Sequence, residues 1–123
     1  MKAADTRDIP KNQWMNFFQD IAKLYRGWAV TVEVLDGKLG DQVDMDGLPL
    51  QGISYDPVGS QKGDILVEAG DEPDAFEVHL VHKPLIVRAA NTEPGAETDI
   101  EIETHDKITH VISIRARPEL PGI

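Results

Sequence analysis

Residues 14–35 read WMNFFQDIAKLYRGWAVTVEVL, and the hydrophobic period changes once inside them. Before Gly27, apolar residues recur at three- and four-residue steps: Trp14, Phe17, Phe18, Ile21, Ala22, Leu24 and Tyr25. That spacing lays one wide apolar stripe along a helix. Gln13, Asn16, Gln19, Asp20 and Lys23 fall on the other face. Ile9-Pro10 suits a helix start, with Asn12 as an alternative N-cap, and Gly27 suits a left-handed stop. A helix is therefore predicted over residues 11–26. After Gly27 the period becomes two. Trp28, Val30, Val32 and Val34 alternate with Ala29, Thr31, Glu33 and Leu35, the pattern of a strand.

Everything further along reads as short strands between turns. Asp36-Gly37 is a turn signal, residues 42–45 a weak strand closed by Asp46-Gly47, and residues 48–55 another strand. Within the latter, Pro49 suits a start or an edge and Gly52 a bulge or bend. Residues 56–63 are a loop and 64–69 a strand with an apolar centre. After an acidic turn come residues 76–81, where Phe76, Val78 and Leu80 alternate with Glu77, His79 and Val81. Pro84 breaks the run, because it cannot donate to a ladder. Strands follow over 85–89, 99–103 and 108–114. No second long helical pattern exists, so βαβ crossovers and a parallel sheet are not expected. The predicted fold is α+β. An N-terminal amphipathic helix packs on a curved antiparallel sheet, or on a small SH3- or Sm-like β-barrel, of about six to seven short strands. Residues 1–8 are expected as a flexible arm, 9–116 as one domain and 117–123 as a tail.

Composition narrows the function classes. The chain has 123 residues, 41% hydrophobic and 28% charged, which is globular and of one-domain size. Twelve Lys and Arg face twenty-two Asp and Glu, a net charge of −10. Such a surface repels phosphate backbones and anionic membranes, so neither nucleic acid nor membrane is an expected partner. A basic protein, or further copies of the chain, fits better. There is no cysteine, which excludes disulfides, thiol catalysis and thiolate metal sites. No hydrophobic signal core precedes Pro10, so a reducing cytoplasm is the expected compartment.

One set of residues has a familiar look. It comprises Ile9-Pro10 with Trp14, Phe17 and Phe18, then Arg26-Gly27-Trp28 leading into residues 30–35, then Leu48-Pro49-Leu50-Gln51-Gly52-Ile53-Ser54. Together they resemble a bacterial family catalogued as domain of unknown function 5335, over roughly residues 9–115. The resemblance implies a small single-domain bacterial protein. The family carries no assigned activity, so no catalytic residue is carried over.

Asp44, Asp46 and Gly47 look like part of a calcium loop. With Gly47 as its glycine, however, position one would be Gln42 and position twelve Ile53, where a bidentate Glu is needed. An acidic hairpin turn is the better reading. His79 and His82 are three apart in a strand, hence on opposite faces, and cannot share a metal from regular geometry. His105 lies in a turn. His110 has the parity of Ile108 and Ile112, so it is expected to point inward. Ser54, Ser60 and Ser113 sit in no nucleophile elbow, and residues 59–63 form no phosphate loop. Asp99, Glu101 and Glu103 read as a solvated strand face. Trp14, Phe17, Phe18 and Trp28 are read as core rather than as a ligand pocket.

No catalytic, metal or cofactor-binding residue is therefore assigned, and no cofactor is expected. The sequence favours a non-enzymatic protein-interaction or structural module. A small-molecule-binding β-barrel comes second and an Sm-like RNA binder third. Ten acidic residues and two lysines lie between Asp36 and Asp74, and six more acids with no Lys or Arg between Glu93 and Asp106. Single-stranded RNA should consequently show no binding at physiological salt in a polarisation titration. Micromolar binding that weakens steeply as salt rises would revive the RNA reading.

Overall fold

The change of period at Gly27 is a change of element. The apolar stripe forms a 3-10 turn, Lys11–Gln13, running into helix α1, Trp14–Leu24. Pro10 opens it with extended backbone, and neither Pro10 nor Gln13 makes a side-chain cap. Asn12 lies inside the 3-10 turn instead of capping it. Gly27 adopts φ 85°, a conformation open to glycine at little cost, and its N–H donates to the Leu50 carbonyl at 2.8 Å. The chain then enters the sheet. This computed structural model describes residues 5–57, 63–71 and 76–117. The tail expected beyond Arg117 and parts of two expected turns lie outside the described residues.

The strands are β1 (Thr6–Asp8), β2 (Ala29–Asp36), β3 (Gly40–Asp56), β4 (Asp64–Ala69), β5 (Glu77–Val81), β6 (Pro84–Ala90), β7 (Thr98–Thr104) and β8 (Thr109–Arg115). All pairings are antiparallel, in the order β1-β6-β7-β8-β2-β3-β4-β5. The α+β class holds, but with eight strands instead of six or seven, and in an open sheet instead of a closed barrel.

Two departures from the sequence reading explain this. Residues 42–45 and 48–55 are not separate strands. Asp46-Gly47 is not a hairpin turn but a bulge inside one long β3. Val30 pairs with Leu48 and Val32 with Met45, leaving an extra residue on β3. Gly47 supplies the positive φ of 71° such a bulge uses, and its N–H donates to Thr31 Oγ1. Further irregularities fall at Asp44 and at Gln51, just before Gly52. Bent at these places, β3 pairs with β2 through its first part and with β4 through its last.

The second departure is at the N-terminus. Thr6–Asp8, read as part of a flexible arm, pairs with Ala90–Arg88 of β6. The Ile9 N–H extends this pairing to the Val87 carbonyl. β6 is thus paired with β7 on one flank and with β1 over the last part of the other, and it pairs with no residue of β5. Yet β5 and β6 are joined by His82 and Lys83 alone. Three Cα steps reach at most about 11 Å, so the far end of the sheet must curl back beside β6. The result is a roll with an unpaired seam.

Inside the roll, alternate residues meet. Val30, Val32, Met45, Ile53, Ile65, Val67, Val81, Val87, Ile100, Ile102, Ile112 and Ile114 are buried. The helix packs mainly on β3. Trp14, Phe18 and Ile21 are buried, Trp14 edge-on to Tyr55 with ring centroids 5.1 Å apart. The Trp14 indole N–H donates to the Ile9 carbonyl at 2.8 Å. Phe17 is only half-buried and Leu24 is 46% exposed, so one flank of the apolar stripe stays wet. The two phenylalanines should respond differently to truncation. Phe18→Ala should cost about 3–5 kcal/mol, the range for a fully buried ring, and Phe17→Ala less than half of that. Thermal melts of both variants check the helix-on-sheet packing.

Candidate functional site

Three polar side chains from separate strands form a line that runs from the interior of the roll out to solvent. The parity of β5 is set by its partner. His79 lies opposite Val67 and Val81 opposite Ile65, both buried β4 residues. His79 therefore faces in, while Val78 and Leu80 face out. On β8, His110 shares the inward parity of Ile112 and Ile114, as its sequence position indicates. On β3, Val32 pairs with Met45 and Glu33 with Val43, so Asp44 is the extra residue of a bulge. Bulges re-aim side chains, and this carboxylate reaches the ring of His79.

The resulting chain is linear. Asp44 Oδ2 lies 2.5 Å from His79 Nδ1, and His79 Nε2 lies 2.8 Å from His110 Nδ1. A carboxylate only accepts, so His79 Nδ1 carries a proton and donates. One further proton serves the contact between the two rings. If His110 Nδ1 holds it, His79 is neutral and His110 Nε2 is left as an acceptor. If His79 Nε2 holds it, His110 Nδ1 accepts and His110 carries its own proton on Nε2. Both rings are buried, His79 6% and His110 8% exposed, while the Asp44 side chain is half in water.

Burial, followed by the neighbouring charge of His79, lowers the His110 pKa to about 4; Asp106 and Asp44 oppose this. The Thr104 hydroxyl donates to Asp106 and holds that carboxyl below its usual range. His82 sits on the opposite face from His79, as strand parity requires. It is exposed and pairs with Asp64 at 3.1 Å. Asp64 is buried and also accepts the Lys83 N–H at 3.2 Å, which fastens the β5–β6 link. His105 is exposed, and its N–H donates to the Lys83 carbonyl at 3.1 Å.

The remaining sequence candidates are dispersed. Asp46 is exposed beside the Gly47 bulge and does not join Asp44 in a cation loop. Among the described residues, no three His, Asp or Glu side chains form a metal-holding group. Ser54 is exposed and Ser113 half-buried, opposite Asp99 on β7. Ser60 lies outside the described residues. Asp99, Glu101 and Glu103 lie half-buried on the face opposite the Ile100 and Ile102 core, with Asp99 3.0 Å from Arg115. Trp14 and Phe18 are core, and Trp28 packs edge-on against Tyr25 at 5.0 Å. Phe17 lines a cleft beside the helix.

The His110 environment fixes the sign of a pH effect. The unfolded chain binds its proton near pH 6.5, the folded chain only near 4. Between those values the unfolded state holds more protons, so stability falls as pH falls. Full stabilisation is present above about pH 6.5, and on the order of 3 kcal/mol is lost by pH 4. Urea unfolding across this range should show a shallower pH slope in His110→Asn than in the parent. Parallel curves would assign the acid sensitivity to other groups.

The comparisons with known proteins match this fold to no described activity. An uncharacterised protein of Aquifex aeolicus (strain VF5) is 32% identical to the chain, over 94% of this chain and 97% of that protein. No solved structure matches. Among the described residues, no helix is long and apolar enough to cross a membrane. The model of the family of unknown function DUF5335 matches residues 5–123, and the chain belongs to that family.

Proposed function

We propose that this domain is a non-enzymatic docking module that takes an extended segment of a basic partner protein as an added strand on β5. The observation that carries the reading is the composition of that edge. β5 ends the sheet, and its outward residues Val78 and Leu80 are 55% and 41% exposed, with Phe76 beside them at 45%. Natural edge strands are blunted by shortness or charge, because unpaired backbone groups invite pairing. β1, the other edge, follows that rule: it has three residues, and Asp8 pairs with Arg88. β5 does not follow it. Strand addition uses backbone hydrogen bonds for affinity and alternate side chains for specificity.

Charge decides between occupants. Glu77 lies on β5 itself, Glu68 opposite Val78 on β4, and Asp71 just beyond β4, in a molecule of net charge −10. A second copy would set acid against acid along the shared edge. A partner strand alternating apolar and basic residues meets both the apolar row and the carboxylates.

A synthetic peptide alternating lysine and valine provides the test, read by amide hydrogen exchange. Exchange over Glu77–Val81 should slow at least tenfold on peptide addition. The effect should disappear in Val78→Asp/Leu80→Asp, whose changes lie on the wet face. A glutamate–valine peptide should give no protection. Equal protection by both peptides, or none by either, would overturn the reading. Protection that grows with protein concentration alone would replace the basic partner with a second copy.

A further inference from the structure

Between α1 and the end of β6 lies a cleft of about 560 Å³. That volume falls within the range of small-molecule pockets. It is built by the flank of the helical stripe that the sheet does not cover. Phe17, Ile21 and Leu24 line one side, and Ala89 and Pro94 the other. The exposure of Leu24 and the half-burial of Phe17 are thus one feature: the stripe is wider than the strand surface beneath it, and its excess faces this hollow. Single exposed apolar residues need no explanation, but a concave group of them does.

Two cations share the lining. Arg7 of β1 and Lys23 of α1 both contribute to the cleft. The Arg7 guanidinium carbon lies 5.9 Å from the centroid of the Phe17 ring. Arg88, Arg115 and Arg117 each have a carboxylate within 4 Å. Among the described residues, Arg7 and Lys23 have none, which they share with Lys11, Arg26, Lys38, Lys83 and Lys107; what sets these two apart is that both line one apolar cleft. Asp20 and Glu93 also line the cleft and make its local charge balance neutral. A ligand carrying several negative charges would meet those two carboxylates as well as the two cations and is disfavoured. The Tyr25 hydroxyl, its pKa raised by burial, donates to the Ala96 carbonyl at 2.7 Å and ties the 91–97 loop down over one end.

We infer that this cleft binds a small amphipathic monocarboxylate, its apolar body against Phe17, Leu24 and Pro94 and its carboxylate between Arg7 and Lys23. Guanidinium and ammonium donors form charge-assisted bonds with a carboxylate, and the apolar lining releases water when the chain enters. Neither Trp14 nor Phe18 lines the cleft, although the Phe17 ring packs edge-on against Phe18 with centroids 5.1 Å apart. The site is separate from the β5 edge and does not depend on the docking reading.

The test compares octanoate with octanol and octylamine, molecules of equal apolar length, by calorimetric titration of the full chain below micelle-forming concentrations. Octanoate should bind saturably at one site, about tenfold or more tighter than octanol, with octylamine weakest. Arg7→Gln/Lys23→Gln should keep the parent melting temperature and reduce octanoate to the affinity of octanol. Leu24→Asp, at an exposed position, should remove binding of both. Equal binding of octanoate and octanol by the parent, no saturable octanoate binding up to millimolar, or unchanged preference in the Arg7/Lys23 variant would each overturn the inference.

Discussion

The two-residue link between β5 and β6 constrains everything else in this molecule. In the sheet these strands stand at the eighth and second places, yet His82 and Lys83 span the distance between them. A flat sheet of eight strands would separate its ends by several times that reach, since neighbouring strands lie about 4.8 Å apart. The sheet must roll, and the bulges of β3 make the roll feasible. The link is itself fixed by hydrogen bonds: Lys83, at φ 54°, donates to Asp64 and accepts from His105. An L-residue in that left-handed region is uncommon, and here both of its peptide neighbours are held.

The roll also creates the polar chain. Asp44, His79 and His110 come from β3, β5 and β8, which are not neighbours in the ladder. Only curvature brings their side chains together. The cost of burying two imidazoles is offset by ordering them along one hydrogen-bonded line with a carboxylate at its wet end. The seam left open by the roll is equally a product of sequence. β1, from N-terminal residues that look unstructured, occupies the last part of the β6 flank opposite β7, and the sheet stays open.

Local patterns were legible in proportion to how local their cause is. The helix and the switch to period two at Gly27 follow from spacing and from one positive φ. The inward aim of His110 follows from strand parity, as does the separation of His79 from His82. The bulge at Gly52 was readable because glycine in a strand marks one. Asp46-Gly47 was not, since the same dipeptide serves a hairpin turn or a glycine bulge, and only the partner strand decides. β1 escaped notice because three polar residues carry no period, and their order comes from the backbone of β6. The Asp44–His79–His110 line left no signal, because its members meet through long-range pairing. Phe17 and Leu24 matched the helical stripe as well as Phe18 did. How wide a surface the sheet would present to that stripe was not written in the helix.

The same topology places a burden on assembly. Thr6 sits opposite Ala90 and Ala29 opposite Arg115, each pair separated by more than half of the chain. Such contacts require large loops to close before they return any stabilisation, which slows folding relative to proteins built from local contacts. The hairpins β3–β4–β5 and β6–β7–β8 can each form from nearby segments, but β2 must join two of them before the roll exists. Until then, both faces of the β3–β4 ribbon are open to water and to other chains. A strongly acidic sequence keeps such intermediates apart by mutual repulsion. The charge that shapes the choice of partner for the finished domain thus also protects the chain while it folds.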